Sequence, residues 1–412
     1  MKEILRENQI KDICYRAFAN IPFNNKKLLF IIPDHTRTAP LPLMFKILYG
    51  MLSEKVKQMD FLVALGTHPP LNDDRLYGLL GETKSDFLRK YQRTKLFNHY
   101  WNDQTQLRMI GTLSKEEVEE ISEGLLSEEV TVTINKLIFN YDILIILGPT
   151  FPHEVVGFSG GFKYLFPGIA GQEIIDMFHW LGALITCPAI IGKKNTPVRR
   201  IVDRAAALVN METYCISMVV AGGGLAGLYI DTPQKAWDKA ADHSQKLHIV
   251  YKEKPLKRIL ACAPVMYEDL WTGGKCMYKL EPIVADGGDL IIYAPHIKTV
   301  SVTHGHIIEK IGYHVRDFFT KQWDRYHHIP GGVLAHATHV KGIGKFEDNI
   351  EKPRINVILA TQISEDTCQK INLGYYNPDS IDPNDWKNRE DEGIFYVEKA
   401  GEILYRLKND PF

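Results

Sequence analysis

The chain has 412 residues, 45% apolar and 24% charged, and its 49 basic residues against 50 acidic ones leave a formal net charge of −1. That length exceeds one ordinary core, so two domains are expected. The charge balance gives no global reason to expect nucleic acid or an anionic membrane as partner, so any anion site must be local.

The opening MKEILRENQIKDI is charged and helix-like and lacks the apolar core of a secretory signal. Residues 27–32 (KLLFII) form a continuous apolar run that suits a strand buried on both faces, and they lead straight into Pro33-Asp34-His35-Thr36-Arg37. A helical pattern over 44–52 follows Pro40 and Pro42. Residues 61–65 (FLVAL) repeat the strand theme and end in Gly66-Thr67-His68-Pro69-Pro70. A charged region over 73–136 then carries two strand-like pieces, 107–113 and 130–134.

The third buried strand, 143–147, opens the most informative stretch, GPTFPHEVVGFSGGFKYLFPGIAGQEIIDMFHW over 148–180. It holds His153, a glycine-rich turn (Gly157, Gly160, Gly161), Lys163 directly behind that turn, and His179 in a helical segment. Glycines allow backbone to come close to a ligand, and a lysine beyond them can meet a phosphate or act as a nucleophilic amine. On the helix, Gln172, Asp176, His179 and Ala183 share a polar stripe, while Ile174, Ile175, Phe178 and Leu181 point elsewhere. A capped helix with a solvated histidine is the bland reading of the same residues. Three buried strands thus end in polar, turn-rich segments, and open α/β sheets bind ligands at the carboxyl ends of parallel strands. Asp34, Arg37, His68 and His153 are expected on one rim.

Further along, 201–209 reads as helix, 215–220 as strand and 233–251 as a long polar helix. The turn Lys252-Glu253-Lys254-Pro255 is the expected boundary between domain 1–254 and domain 255–412. Strand patterns at 259–263, 290–294 and 355–360 make the second domain α/β as well, and a last helix over 390–407 packs on either domain. The expected fold class is therefore two α/β domains with mainly parallel sheets and the active site in the cleft between them. The longest nearly apolar run, 181–191, is far short of a membrane span and contains Pro188, so a soluble, cytoplasmic protein is expected. Six cysteines without a C-x-x-C pair indicate neither a zinc knuckle nor a disulfide framework.

Gly222-Gly223-Gly224-Leu225-Ala226-Gly227 satisfies G-x-G-x-x-G, but 228–230 continues as strand where a nucleotide loop needs a helix, so it reads as a hairpin turn. Residues 159–163 lack the earlier glycine and the Ser/Thr of a phosphate-binding P-loop. His336 and His339 stand at i, i+3 without the glutamate of a zincin motif. The residues alone lead to an α/β enzyme with a Lys/His/Arg site; a lysine Schiff-base (pyridoxal-phosphate type) enzyme and a non-catalytic binder of a phosphorylated small molecule remain open readings.

Taken together, three motifs resemble the nickel-pincer-dependent lactate racemase family of 2-hydroxy-acid racemases and epimerases. They are His153 to His179 with Lys163 in GFSGGFK, Asp34-His35-Thr36-Arg37 with Gly66-Thr67-His68, and Trp271-Thr272-Gly273-Gly274-Lys275. The resemblance implies that Lys163 tethers a pyridinium-3-thioamide-5-thiocarboxylic acid mononucleotide and that His179 completes the square plane of its Ni(II), a geometry suited to soft sulfur donors. By the same resemblance Asp34, Thr36, Gly160 and Gly161 contact that cofactor. Arg37 and Lys275 hold the substrate carboxylate, and His68 and His153 form the acid/base pair. It also implies separate proteins that make the cofactor. Trp271 and Thr272 stand where lactate racemase has a tyrosine and a glutamine, and His296, His336 and His339 add polar groups of unassigned role. The substrate expected is therefore a sugar acid or hydroxy-dicarboxylate, with lactate as the alternative.

Overall fold

The computed structural model describes residues 4–19 and 21–412. Contacts divide the chain into two units, one of Met1–Phe151, Phe158–Ile175 and Arg199–Leu247, the other of Pro152–Gly157, Asp176–Val198 and His248–Phe412. The main crossing of the chain falls at 247/248. Two short segments from the first half, which carry His153 and His179, cluster with the second unit.

Unit 1 is built on six strands: β1 Lys27–Ile32, β2 Gln58–Val63, β3 Leu96–Asn98, β4 Ile143–Pro149, β5 Glu212–Ala221 and β6 Gly224–Asp231. Their order is β6-β5-β4-β1-β2-β3. All neighbours are parallel except the β5/β6 pair. Central parallel strands covered on both faces must be apolar throughout, and β4 is buried at every position. The helices α1 (Glu7–Phe18), α2 (Leu41–Leu52), α3 (Gln172–Ile185) and α4 (Pro233–His248) follow the chain order. α1 buries Ile10, Cys14 and Phe18, a spacing that forms one helical face. Phe30 and Phe61 stack at 5.0 Å between ring centroids, and Phe45 meets Phe61 edge-on at 5.4 Å.

From β1 the chain runs outward through β2 and β3, then returns to the other side of β1 as β4. The reversal between β1 and β4 is the place where loops leave in opposite directions and open a crevice. The loops after β1, β2 and β4 are those that carry the polar residues singled out in the sequence. At the far edge, Gly222 and Gly223 adopt φ +59° and +79° between antiparallel β5 and β6. The glycine-rich run there is a hairpin turn, as its continuing strand pattern implied.

Unit 2 has a five-stranded, wholly parallel sheet of β7 (Leu256–Cys262), β8 (Val284–Ala294), β9 (Asn356–Thr361), β10 (Gly374–Tyr375) and β11 (Ile394–Val397), in the order β10-β9-β8-β7-β11. Helix α5, Gly331–Lys341, carries His336 and His339. Two expectations are corrected. The last helix over 390–407 does not form: β11 and the strand Leu404–Leu407 occupy that stretch. The helix from Pro233 stops at His248, because Ile249–Lys252 pairs in parallel with Leu404–Leu407. Each strand is the other's partner, a non-local pairing of β-branched and aromatic residues that helical periodicity cannot register. Among the described residues no helix is long and apolar enough to cross a membrane.

His99, just after β3, pins unit 1 internally. Its Nε2 donates to the Ala170 carbonyl at 2.9 Å, and its Nδ1 accepts from the Asn135 amide at 3.1 Å. Burial lowers its pKa from 6.5 to about 4, so the ring stays neutral in the folded protein. Between those values the unfolded chain binds a proton that the folded chain does not. Stability is therefore expected to fall as pH drops from 6.5 towards 4, by on the order of 3 kcal/mol, and to level off below. Urea unfolding across that range checks this. His99→Gln should remove its share of that pH dependence, leaving the part due to the other buried histidines, while lowering stability at pH 7.

Candidate active site

The loop after β1 is organised by one carboxylate. Asp34, 4% exposed, accepts the Thr36 N–H at 3.0 Å and the Thr36 hydroxyl at 2.7 Å on Oδ1. Its other oxygen lies 2.5 Å from Nδ1 of His68, which comes from the loop after β2. A carboxylate there is an acceptor, so the His68 proton sits on Nδ1 and Nε2 carries the free lone pair. Asp34 and Thr36, expected to touch a cofactor, thus have a further task in setting this tautomer. Arg37 closes the turn, its N–H reaching the Asp34 carbonyl at 3.4 Å.

The segment behind β4 locks onto these loops. Gly168 accepts the Gly66 N–H at 3.0 Å and itself donates to the Lys163 carbonyl at 3.2 Å, which ties the backbone of Lys163 to the loop that presents His68. Tyr164, next in sequence, lies close enough to Arg37 and Asp34 to sense both charges. Burial drives its phenol pKa far upward, with Arg37 pulling down and Asp34 pushing up. A side chain at Gly148 would place its Cβ 2.0 Å from the Tyr164 hydroxyl, so only glycine fits there at the end of β4.

The turn before Lys163 is held equally firmly. Trp237 on α4 donates its indole N–H to the Ser159 carbonyl at 2.9 Å, and Arg199 donates to the carbonyls of Gly160 and Phe158 while stacking on Trp237 at 4.1 Å. Ser159 bridges the strand end, accepting the Phe151 N–H and donating to the Pro149 carbonyl. Gly160 and Gly161 have φ +90° and +58°, and added Cβ atoms would meet Thr150 Oγ1 at 2.5 Å and Trp237 Cβ at 2.9 Å. The close approach that requires these glycines is to the protein's own side chains. Thr150 Oγ1 is buried with no hydrogen-bond partner among the described residues.

Unit 2 gathers the other expected residues. His153 is buried, its Nδ1 accepting the Val155 N–H at 3.2 Å, so the neutral ring carries its proton on Nε2. Glu154 Oε2 lies 3.4 Å from the same Nδ1 and supports the ring when it is charged. His179 sits partly exposed on α3, stacked on Phe178 at 5.1 Å, with Asp176 one turn away capping α5 through the Gly332 N–H at 2.9 Å. The polar stripe of α3 is as read, except that Ala183 is buried. His339 on α5 senses both Glu154 and His179, and burial lowers its pKa to about 4.

Trp271, Thr272 and Lys275 lie on two short helical turns, Leu270–Gly273 and Lys275–Tyr278. Asp269 fixes them by accepting the N–H and the hydroxyl of Thr272 at 3.0 and 2.9 Å, and the Val302 N–H at 3.1 Å. The half-buried Trp271 ring packs on His304 at 4.7 Å and on His336 at 4.2 Å. Lys275 lies 4.6 Å above the Tyr267 ring. His336 meets the Tyr278 hydroxyl through Nδ1 at 2.9 Å and the Tyr313 hydroxyl through Nε2 at 3.2 Å, and burial holds its pKa well below the usual value. Both its nitrogens are therefore engaged internally. His296 Nε2 likewise reaches the Tyr267 carbonyl at 3.0 Å.

Within unit 1, then, Asp34, Thr36, Arg37, His68, Gly160, Gly161 and Lys163 come together. Within unit 2, Glu154 and His339 link His153 with His179, and Tyr278 joins that group to Trp271 through His336 and its ring contact with His339 at 5.8 Å. Sequence reading missed Tyr164, Arg199, Trp237, Asp269 and Tyr278, which act through packing and backbone contacts that leave no motif. The first test concerns the tautomer. Asp34→Asn is expected to shift the His68 proton from Nδ1 to a mixture of both nitrogens, with the fold intact by circular dichroism. Nitrogen-15 NMR of labelled histidines reads this directly.

The comparisons with known proteins converge on this architecture. A family model described as the lactate racemase N-terminal domain matches residues 2–189. The lactate racemase of Thermoanaerobacterium thermosaccharolyticum is 28% identical over 309 residues, 69% of this chain and 65% of that protein. That of Lactiplantibacillus plantarum is 30% identical over 163 residues, 39% of this chain and 34% of that protein. The chain thus matches less than two thirds of the length of either curated relative. A solved Thermotoga maritima protein superimposes with a TM-score of 0.91 at 33% identity, covering 98% of this chain and 99% of that one. The lactate racemase apoprotein of T. thermosaccharolyticum shares the fold, with a TM-score of 0.73 at 20% identity over 96% of this chain and 92% of its own. Residues 2–189 thus match the lactate racemase N-terminal domain, and the chain shares the fold of the lactate racemase apoprotein.

Proposed function

We propose that the chain is an isomerase, a racemase or epimerase acting at C2 of a 2-hydroxy acid. One observation carries the reading: the Asp34 carboxylate holds His68 by Nδ1 and leaves its Nε2 bare, while Glu154 Oε2 lies 3.4 Å from Nδ1 of His153 and supports that ring when it is charged. Inverting a hydroxyl-bearing carbon through a carbonyl needs one group to take the hydroxyl proton and another to return a proton to oxygen. His68, with Nε2 bare, is set to take the proton as a neutral imidazole, and His153, beside the Glu154 carboxylate, is set to return one as an imidazolium; the two exchange roles when the reaction runs backwards.

The implied nickel-pincer nucleotide fits the residues present. Such a group would need a donor from the protein, and His179 offers a partly exposed imidazole. No group of three or more His, Cys, Asp or Glu suited to a metal occurs among the described residues. Lys163 would hold the nucleotide through its amine, on a backbone that Trp237 and Arg199 keep rigid. The unpartnered Thr150 hydroxyl and the Thr36 and Asp34 loop would offer polar contacts beside it. When bound, this group supplies a place for the C2 hydrogen to be taken up as hydride and given back.

Everything else falls to the protein's side chains. Arg37 and Lys275 bind the substrate carboxylate, Arg37 as a bidentate fork that leaves the C1–C2 bond free to turn. His68 Nε2 accepts the hydroxyl proton as C2 is oxidised, and the Asp34 carboxylate stabilises the imidazolium that results. His153, as the imidazolium that Glu154 supports, donates a proton to the oxygen when the opposite face is reduced and is left neutral. Direct abstraction of the C2 proton would face a weakly acidic C–H, which this route avoids.

Substrate choice rests on Trp271 and Thr272. Because both nitrogens of His336 and Nε2 of His296 are engaged internally, the preference for a sugar acid or hydroxy-dicarboxylate depends chiefly on the indole face and the neighbouring Lys275. Assays against lactate, malate and gluconate decide it, and lactate as clearly the best substrate removes that preference. The reading also calls for cofactor-making proteins in the same cytoplasmic compartment.

Protein produced alongside a cofactor-synthesising system should show a mass adduct on Lys163 and stoichiometric nickel. Lys163→Ala should lose both, whereas His179→Ala should keep the adduct and lose the metal. A borohydride-reducible chromophore without nickel would instead favour a pyridoxal-type Schiff base, and phosphate-ester binding with no turnover would favour a non-catalytic module. In the loaded enzyme, His68→Ala and His153→Ala should each lower kcat by about 10²–10⁴-fold with the adduct retained.

A further inference from the structure

Unit 2 contains a cavity of about 190 Å³ that none of these roles uses. Its wall includes Glu281, His339, Thr338, Thr186, Cys187 and Arg316. Glu281 is fully buried, and its Oε1 accepts the Ile343 N–H at 2.7 Å. Its Oε2 has no hydrogen-bond partner among the described residues, and neither has Nε2 of His339, which is 4% exposed. A buried polar atom left without a partner costs about 1–3 kcal/mol, and native proteins meet such atoms with a ligand or ordered water. Two residues that line one cavity and each carry such an atom mark a place made for an occupant.

The wall also indicates what kind of occupant. Arg316 is already engaged, donating to the Leu184 carbonyl at 2.8 Å and pairing with Asp317 at 3.0 Å, so it does not compensate Glu281. Cys187 points its thiol at the Tyr278 carbonyl, 3.9 Å away, and burial raises its pKa well above the usual value. A thiolate ligand is thereby excluded. Among the described residues no three-ligand metal group occurs, so the wall does not offer a transition metal several side-chain ligands. Burial raises the Glu281 pKa to about 7, against the pull of Arg354, so its charged form needs a positive partner. Thr186, held at φ +93°, and Thr338 add oxygen atoms to the same wall.

We propose that this cavity binds a compact monovalent cation, ammonium or an alkali ion, with Glu281 Oε2 as its anionic partner and the Thr186 and Thr338 oxygens and His339 Nε2 around it. The proposal is independent of the activity assigned above. A cation that binds the folded chain alone stabilises it in a concentration-dependent, saturable way.

The test uses the full chain without cofactor at pH 8, in chlorides of ammonium, potassium, sodium and tetramethylammonium at matched ionic strength. Ammonium, an alkali ion or both should raise Tm saturably above the tetramethylammonium reference, and Glu281→Gln should abolish the difference. A response to ammonium alone assigns a hydrogen-bonding cation; a response to potassium or sodium assigns an alkali ion. Should Glu281→Gln not fold, diffraction from wild-type crystals soaked in thallium(I) should give an anomalous peak against Glu281 Oε2. Equal Tm in all four salts, a salt response that survives Glu281→Gln, or a cavity holding only water after the thallium soak overturns the proposal.

Discussion

The Asp34 carboxylate is the contact on which the unit 1 site depends. A buried carboxylate is tolerated only where donors surround it, and here those donors are the two groups of Thr36 and the His68 ring. The same three contacts therefore shape the loop after β1, bring the loop after β2 against it and decide which nitrogen of His68 is bare. Its charge also reaches Tyr164, the residue that follows Lys163. Were the acid replaced by an apolar group, the strands would remain while the loops at their ends lost their common reference.

Much of this arrangement was legible because it follows from burial. Runs such as 27–32 and 143–147 have no polar residue to place in water except at their ends, so they read as covered parallel strands and proved to be so. The hairpin nature of 222–223 was equally readable, since the strand pattern resumed after the glycines. The roles of Gly160 and Gly161 were less so. Their sequence context suggested approach to a ligand, whereas the structure sets them against Thr150 and Trp237, partners separated from them along the chain. The pairing of Ile249–Lys252 with Leu404–Leu407 was invisible for the same reason: neither strand has a local partner, and each sits beside a helix-compatible pattern.

Histidine chemistry showed the sharpest limit of sequence reading. His336 and His339 stand on adjacent turns of one helix, yet one has both nitrogens engaged by tyrosine hydroxyls and the other lines a cavity with a nitrogen that has no partner among the described residues. His296 is taken by a backbone carbonyl. Three residues that look alike as polar lining thus serve as a support for Trp271, a cavity wall and a loop anchor. Tyr278 touches two of them, His336 and His339, and nothing in its sequence context distinguishes it from other buried tyrosines. Partner identity, which sets tautomer and charge, is a property of the fold.

The proposed chemistry makes one demand that no other assignment of these residues shares: the hydroxyl proton moves through the imidazoles, while the hydrogen on C2 leaves and returns without meeting water. Racemisation of a 2-deuterated 2-hydroxy acid by the cofactor-loaded enzyme in ordinary water measures this directly. The account predicts that both stereoisomers of the product keep deuterium at C2. Replacement of that deuterium by solvent protium at the rate of racemisation would contradict it.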